Sequence, residues 1–152
     1  MDSKIIIRKG VLSDIPALIN LLRDLFSIEK DFSFNKGKQE KGLGMILKAN
    51  PEDSILLVAD KDGMAIGMCS AQTMVSTAEG GLAVMMEDMI VRKDERGRGI
   101  GVMLLKGIEK WADNNGITRF QLLADKNNLA ALAFYGKNEW KRTRLICLRK
   151  MR

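Results

Sequence analysis

The sequence predicts an α+β fold, with a mixed, mostly antiparallel sheet that carries helices on both faces. Short apolar or alternating runs typical of strands recur along the chain, and segments with helical apolar spacing separate them. Two hairpin-type turns, Lys61-Asp62-Gly63 and Glu79-Gly80-Gly81, join three strands in the middle of the chain. The predicted order is β-α-α-β-β-β-α-β-α-β, in which antiparallel hairpins precede a parallel crossover.

Six strands are predicted from short apolar or alternating runs. The first follows a charged N-terminus, and the last is interpreted as an alternating strand. We expect them at residues 4–9, 54–59, 64–75, 82–91, 117–124 and 140–148.

Four helices are predicted between these strands, over residues 13–26, 38–48, 100–115 and 129–137. Ser13 is the expected N-cap of the first, and Pro16 is tolerated in its first turn. Gly42 and Gly44 weaken the second. Asn114-Asn115-Gly116 ends the third, because these residues tolerate left-handed backbone.

Composition predicts one folded domain over residues 1–152. The chain is 46% hydrophobic and 29% charged, and no apolar run reaches the length of a membrane span. The N-terminus lacks a signal-peptide pattern. Cys69 and Cys147 lie in apolar runs, so we expect two buried free thiols and a reducing, cytoplasmic location.

The chain contains no histidine. This excludes catalytic systems of the Ser-His-Asp and Cys-His kinds, and no metal site is expected. A catalytic acid or base must then be Glu, Asp, Tyr, Lys or water. The net charge of +6 fits nucleic acid or a polyanionic cofactor, but scattered basic residues and few aromatics disfavour nucleic acid.

A glycine-rich turn stands between the predicted strand 82–91 and the helix that follows it. Gly97, Gly99 and Gly101 alternate with larger residues there. Backbone N–H groups and the helix dipole would favour a phosphate or pyrophosphate, and Arg96 and Arg98 add charge. A P-loop would require Lys-Ser/Thr after the last glycine, and the G-x-G-x-G spacing departs from the dinucleotide fingerprint.

Two motifs together give the chain a family resemblance. Arg96-Gly97-Arg98-Gly99-Ile100-Gly101 fits the pattern Q/R-x-x-G-x-G/A, and Asn128-x-x-Ala131-x-x-Phe134-Tyr135 follows about thirty residues later, after a strand. With this order of elements, the chain resembles the GNAT superfamily of acetyl-CoA-dependent N-acetyltransferases over essentially its whole length. It departs from the family at Glu139, where a glycine is usual, so Asn138 or Glu139 must form that turn.

The resemblance implies a binding role for each matching position around acetyl-CoA. Ile90 and Val91 would pair their backbone with the pantetheine arm in a gap between two splayed strands. Asn128 would hydrogen-bond the coenzyme arm, although Asn is also a common N-cap. The pyrophosphate would lie on the turn residues Arg96, Gly97, Arg98, Gly99, Ile100, Gly101 and Val102.

The resemblance also implies the catalytic groups for direct attack by an amine, without a covalent enzyme intermediate. Tyr135 would protonate the leaving thiolate, or else is an ordinary core tyrosine. Glu87 is the expected base for the amine, with Asp88 or a water relay as alternatives. Because successive strand residues face opposite sides, at most one of the two carboxylates can face the substrate in a regular strand.

The acceptor is expected to be a primary amine. The loop Glu29-Lys30-Asp31-Phe32-Ser33-Phe34 combines acidic and aromatic residues, which suits a small cationic amine such as a polyamine or amino sugar, or an amine on a protein or peptide. The alternative is a non-catalytic acetyl-CoA-binding sensor or scaffold. Strand 140–148 would offer an exposed edge for a homodimer, unless Arg142 and Arg144 blunt that edge.

Overall fold

Five strands form one sheet, in the order β1-β2-β3-β4-β5, in a computed structural model that describes residues 3–152. Neighbouring strands are antiparallel from β1 to β4, whereas β4 and β5 are parallel. The mixed, mostly antiparallel sheet confirms the predicted fold class. The strands are β1 (Ile5–Lys9), β2 (Ser54–Lys61), β3 (Met64–Ser76), β4 (Gly81–Val91) and β5 (Phe120–Leu122).

The four predicted helices are present as α1 (Ile15–Ile28), α2 (Lys36–Lys48), α3 (Ile100–Asn114) and α4 (Leu129–Lys137). Short 3-10 turns precede α1 and α3, at Leu12–Asp14 and Lys93–Glu95. The predicted N-cap of α1 at Ser13 is wrong, because Asp14 occupies that position. The Asp14 carboxylate instead accepts the Val11 N–H at 2.8 Å, which stabilises the preceding turn.

Helices cover both faces of the sheet. Successive side chains of β2 point to opposite faces, and both sets are buried under helices. Leu56 and Val58 pack in one core with the apolar stripe of α1 and with Leu43 of α2. Leu57 faces α3, whose backbone approaches so closely at Gly107 that an added Cβ would lie 2.7 Å from Leu57 Cδ1.

An ion pair network joins the start of α1 to the sheet edge. The Arg8 guanidinium donates to both oxygens of Asp14, at 2.8 and 2.9 Å, and to Asp60 on β2 at 2.7 Å. Both carboxylates are buried. The hydrogen bonds from Arg8 lower the pKa of Asp14, and they tie β1, β2 and the α1 entry together.

Contacts divide the chain into two compact units, Met1–Leu122 and Leu123–Arg152. The single domain expected from the sequence stays a prediction. Within residues 3–152, none of the helices combines the length and apolar character needed to cross a bilayer.

The predicted strand over residues 140–148 is wrong, because this segment has no regular secondary structure. The strand before it is also shorter than expected, since β5 spans only Phe120–Leu122. A strand is stable only when a neighbour pairs with its backbone, and a favourable alternation cannot supply that neighbour. Cys147 in this segment is exposed, which corrects its expected burial, whereas Cys69 is buried as predicted. The expected homodimer stays a prediction, without the edge strand on which it rested.

Candidate active site

A β-bulge interrupts β4 at Glu87 and Asp88. Between two paired positions, β3 advances two residues from Cys69 to Ala71, while β4 advances three between their partners. A bulge re-aims side chains and increases the local twist of the strand. The rule that only one of two successive carboxylates faces the substrate assumed a regular strand, so it does not apply at this bulge.

The two bulge carboxylates differ in their surroundings. Glu87 is exposed, whereas Asp88 is half-buried and its N–H donates to Ser70 Oγ at 3.2 Å. Burial raises the pKa of the Asp88 carboxyl to about 6, with a further rise from the charge of Glu87 and an opposing effect from the Ser70 side chain hydrogen-bonding to the carboxyl. A carboxylate with a pKa near 6 is a stronger base than an ordinary one and is still ionised at neutral pH.

One edge of β4 is open beyond the bulge. Pairing with β5 covers only Val84–Met86, so Glu87 to Val91 have no strand partner on that side in the part of the chain that the structure describes. On the other side, Ile90 and Val91 pair with β3. The Arg96 Nε donates to the Val91 carbonyl at 2.8 Å. The binding role that the resemblance implies for Ile90 and Val91 stays a prediction.

The glycine turn has the backbone geometry of an anion site. Gly97 and Gly99 have φ values of 77° and 78°, and a Cβ added at either position would meet nothing within 4 Å. Gly99 is the N-cap of α3, and the first α-helical bond runs from the Met103 N–H to the Gly99 carbonyl at 3.1 Å. Among residues 3–152, no acceptor is present for the N–H groups of Gly97 through Val102. Six donors in one exposed turn, at a helix N-terminus, suit a polyanion such as a pyrophosphate.

Arg96 and Arg98 are exposed at this turn but already have protein partners. Arg96 binds the Val91 carbonyl, and Arg98 donates to Glu95 Oε2 at 3.0 Å. Glu95 itself is only 3% exposed. Its carboxylate also accepts from Lys61 at 2.6 Å and Arg92 at 3.3 Å. Sequence reasoning missed Glu95 and Lys61, since 34 positions separate them and no motif marks either residue.

The second unit holds the remaining predicted site residues, Asn128 and Tyr135. Asn128 is the N-cap of α4, and its Oδ1 accepts the Ala131 N–H at 3.1 Å. Tyr135 is half-buried and packs edge-on against Phe134 and Trp140, with ring centroids 5.3 and 5.8 Å away.

Glu139 makes the turn that ends α4, at the position where the sequence lacks a glycine. Its φ is 70°, in the left-handed region. The Trp140 N–H donates to the Tyr135 carbonyl at 3.0 Å and the Glu139 N–H to the Gly136 carbonyl at 3.3 Å, the bonding pattern of a Schellman cap. The cap also brings the Trp140 ring against Tyr135, so the backbone turn orients the tyrosine side chain.

The sheet with an open β4 edge, the bulge and the glycine turn before α3 define a mixed-sheet protein with an anion site at a helix N-terminus, and sequence comparison identifies the family. The acetyltransferase (GNAT) family matches residues 16–140, so the chain belongs to that family.

Two relatives come from Bacillus subtilis (strain 168), and both are described as uncharacterised N-acetyltransferases. YobR is 32% identical over 102 residues, which are 66% of this chain and 38% of YobR. YhfO is 26% identical over 137 residues, 89% of each chain. The chain therefore spans well under half the length of YobR and most of YhfO.

Solved structures share the fold at low sequence identity. A transcriptional regulator from Bacillus halodurans C-125 is 22% identical, with a TM-score of 0.85 over 97% of this chain and all of the other. The aminoglycoside N-acetyltransferase AAC(6')-Iy in complex with CoA is 19% identical, with a TM-score of 0.85 over 100% of this chain and 97% of the other.

Proposed function

We propose that this chain transfers the acetyl group of acetyl-CoA to a primary amine by direct attack, without a covalent enzyme intermediate. The observation that carries the proposal is the continuous arrangement along β4 and α3. The bulge carboxylates, the open strand edge and the six unpartnered N–H groups follow one another over residues 87–102.

The turn and the strand edge supply the binding groups for the cofactor. The N–H groups of Gly97 to Val102 would hold the pyrophosphate, and the positive φ values at Gly97 and Gly99 turn the backbone so that no Cβ obstructs it. The edge residues Ile90 and Val91 would pair with the pantetheine amides as a neighbouring strand does. Bound acetyl-CoA supplies the thioester whose carbonyl carbon the amine attacks. The fold shared with CoA-bound AAC(6')-Iy supports this assignment.

One of the bulge carboxylates accepts the proton of the amine. Glu87 is exposed and therefore open to a substrate, as the sequence prediction requires. The raised pKa of Asp88 supports Asp88 as the base, directly or through water, because an amine with a pKa near 10 loses its proton more readily to a stronger base. Asp88 and Glu87 as the base predict different dependences of the reaction rate on pH.

Tyr135 donates the proton that the departing thiolate requires. Packing against Phe134 and Trp140 fixes the ring, which a general acid needs in order to keep its hydroxyl at one position. For Asn128, the carbonyl of the side chain is occupied as the α4 N-cap, so the amide nitrogen is the atom we propose for the coenzyme arm.

A small cationic amine is the acceptor class that we propose. The loop between α1 and α2 contains Glu29 and Asp31, and Phe32 is 46% exposed beside Phe26, at a ring centroid distance of 5.8 Å. Carboxylates and aromatic faces both attract ammonium groups. Structural neighbours include the aminoglycoside acetyltransferase meta-AAC0020 in complex with sisomicin, which supports an amino sugar within this class.

The test is a panel of amines incubated with the chain and acetyl-CoA, with acetylated products identified by mass spectrometry. The panel contains polyamines, aminoglycosides, peptides with lysine or free N-termini, and neutral and anionic amines matched in size. We expect turnover of the cationic members. Turnover confined to neutral or anionic amines would refute the acceptor class, and CoA binding by calorimetry without any transfer would favour the sensor or scaffold.

A further inference from the structure

Glu95 is a buried carboxylate directly beneath the glycine turn. It is 3% exposed and lies in the 3-10 turn Lys93–Glu95, between the end of β4 and the turn. A buried carboxylate is unfavourable unless cations and hydrogen bonds compensate it. Three cations contact Glu95, and they come from three places in the chain: β2, the end of β4, and the glycine turn itself.

Each cation fixes a different element to Glu95. Lys61 at the end of β2 contacts Oε1 at 2.6 Å, and Arg92 contacts the same oxygen at 3.3 Å. Arg98, between the two left-handed glycines, contacts Oε2 at 3.0 Å. The carboxylate therefore ties the glycine turn to the sheet through both of its oxygens.

We infer that Glu95 is a positioning residue, which holds Arg98 and the N–H groups of Gly97 to Val102 in the arrangement that binds the cofactor. This inference rests on the proposed acetyl-CoA site. The turn contains two glycines in left-handed backbone and has no side-chain packing at either one, so it needs an external anchor to keep six donors aligned.

Replacing Glu95 tests the inference, because positioning and simple electrostatic attraction predict opposite changes in the affinity for the cofactor. Around the turn, five cations oppose two carboxylates and leave a surplus of three positive charges. Replacing Glu95 by Gln raises that surplus, so electrostatic attraction alone predicts tighter binding of an anionic cofactor. Positioning predicts weaker binding despite the added positive charge. The seven groups are Lys61, Arg92, Lys93, Arg96, Arg98, Asp94 and Glu95.

Asp94→Asn is the matched control for Glu95→Gln. It changes the net charge by the same amount one residue away, but the Asp94 side chain is 67% exposed and, within residues 3–152, forms its ion pair with Arg92 alone. We expect Glu95→Gln to raise the KM for acetyl-CoA and the Kd for CoA about tenfold, which equals about 1.4 kcal/mol, with kcat unchanged. Asp94→Asn should leave both constants within about twofold of wild type, as exposed pairs contribute little.

A second variant, at Lys61, tests whether Glu95 affects cofactor binding through its ion pair with the sheet. Lys61→Met leaves Glu95 with two arginine partners, so we expect about a threefold rise in KM. The double variant with Glu95→Gln should bind no more weakly than Glu95→Gln alone, because both changes remove one network. If Glu95→Gln does not fold, as judged by circular dichroism, Lys61→Met carries the test, and an unchanged KM overturns the inference.

Hydrogen exchange of the ligand-free protein gives a readout that does not depend on catalysis. The Met103 N–H, which donates to the Gly99 carbonyl of the turn at 3.1 Å, should exchange faster in Glu95→Gln than in wild type or Asp94→Asn. Unchanged exchange, or tighter CoA binding by Glu95→Gln, would overturn the inference. Failure of wild type to bind CoA would instead refute the proposed function, and the exchange comparison would still decide the role of Glu95.

Discussion

Replacement of Asp88 by Asn should make the protein more stable at neutral pH. The Asp88 pKa rises from 3.8 to about 6 in the folded chain, mainly through burial. At 1.36 kcal/mol per pKa unit, ionising this carboxyl in the native state costs up to about 3 kcal/mol relative to the unfolded chain. Partial exposure screens part of that cost, so we expect a gain of about 2 to 3 kcal/mol from the neutral amide.

The sign of the pH dependence follows from the direction of the shift. A carboxyl with a raised native pKa binds more protons when folded, so its stability contribution is fully present below pH 3.8. That contribution is lost as pH rises through about 6. The advantage of Asp88→Asn should therefore be small near pH 4, grow up to about pH 6, and stay constant above pH 7.

Urea denaturation at pH 4.0, 5.0, 6.0 and 7.5 measures this advantage. Glu87→Gln is the matched control, because Glu87 is exposed and its replacement should change the free energy of unfolding by less than about 0.5 kcal/mol. An advantage of Asp88→Asn that is independent of pH, or a destabilisation at pH 7.5, would refute the assignment of the raised pKa.

The same pair of variants identifies the base. If Asp88 accepts the amine proton, kcat/KM of wild type should rise with pH through about 6, and Asp88→Asn should lower kcat by at least about 100-fold while stabilising the fold. If Glu87 does so, Glu87→Gln should lose the activity instead. Equal activity of both variants would leave water as the base and refute both carboxylates.

Three further changes test other parts of the structure. Glu139→Gly should raise the free energy of unfolding by roughly 1 kcal/mol, since a left-handed φ of 70° costs a residue with a side chain about that much. Urea denaturation measures this gain, and a lower free energy of unfolding would contradict the assigned turn. Arg8→Met should lower stability by about 3 kcal/mol at pH 7, since it leaves two buried carboxylates unpaired. Because the Asp14 pKa is lowered, this loss should shrink as pH falls through that pKa, and a deficit independent of pH would exclude the ion pair as its cause. Tyr135→Phe should lower kcat by about 100-fold with unchanged KM, and a wild-type kcat would remove the acid role.

Elements bounded by local signals were predictable from the sequence. Asn128 caps α4 directly before its first residue, and the helix spans Leu129–Lys137 as predicted, because capping depends on neighbours in the chain. The glycine turn lies where the spacing indicated, and its positive φ values need no distant contact. The substitution at Glu139 likewise marked the turn that the residue now makes.

Features that depend on distant contacts were not predictable. The predicted strand over residues 140–148 was wrong, because an alternating pattern of side chains does not show whether a neighbouring strand is available to pair with it. The bulge at Glu87 depends on the register against β3, which the sequence of β4 does not contain. Glu95 looked like one charge in a charged run, and only the fold brings Lys61 to it.

The two cysteines differ in their accessibility to thiol reagents. Burial raises the pKa of the Cys69 thiol to about 12, so this side chain forms almost no thiolate and stays hidden from reagents. Cys147 is exposed on the terminal segment. A maleimide dye or spin label should therefore attach at Cys147 alone, without any engineered cysteine. Such a probe would report a change in the surroundings of Cys147 when cofactor, acceptor or a second chain is added.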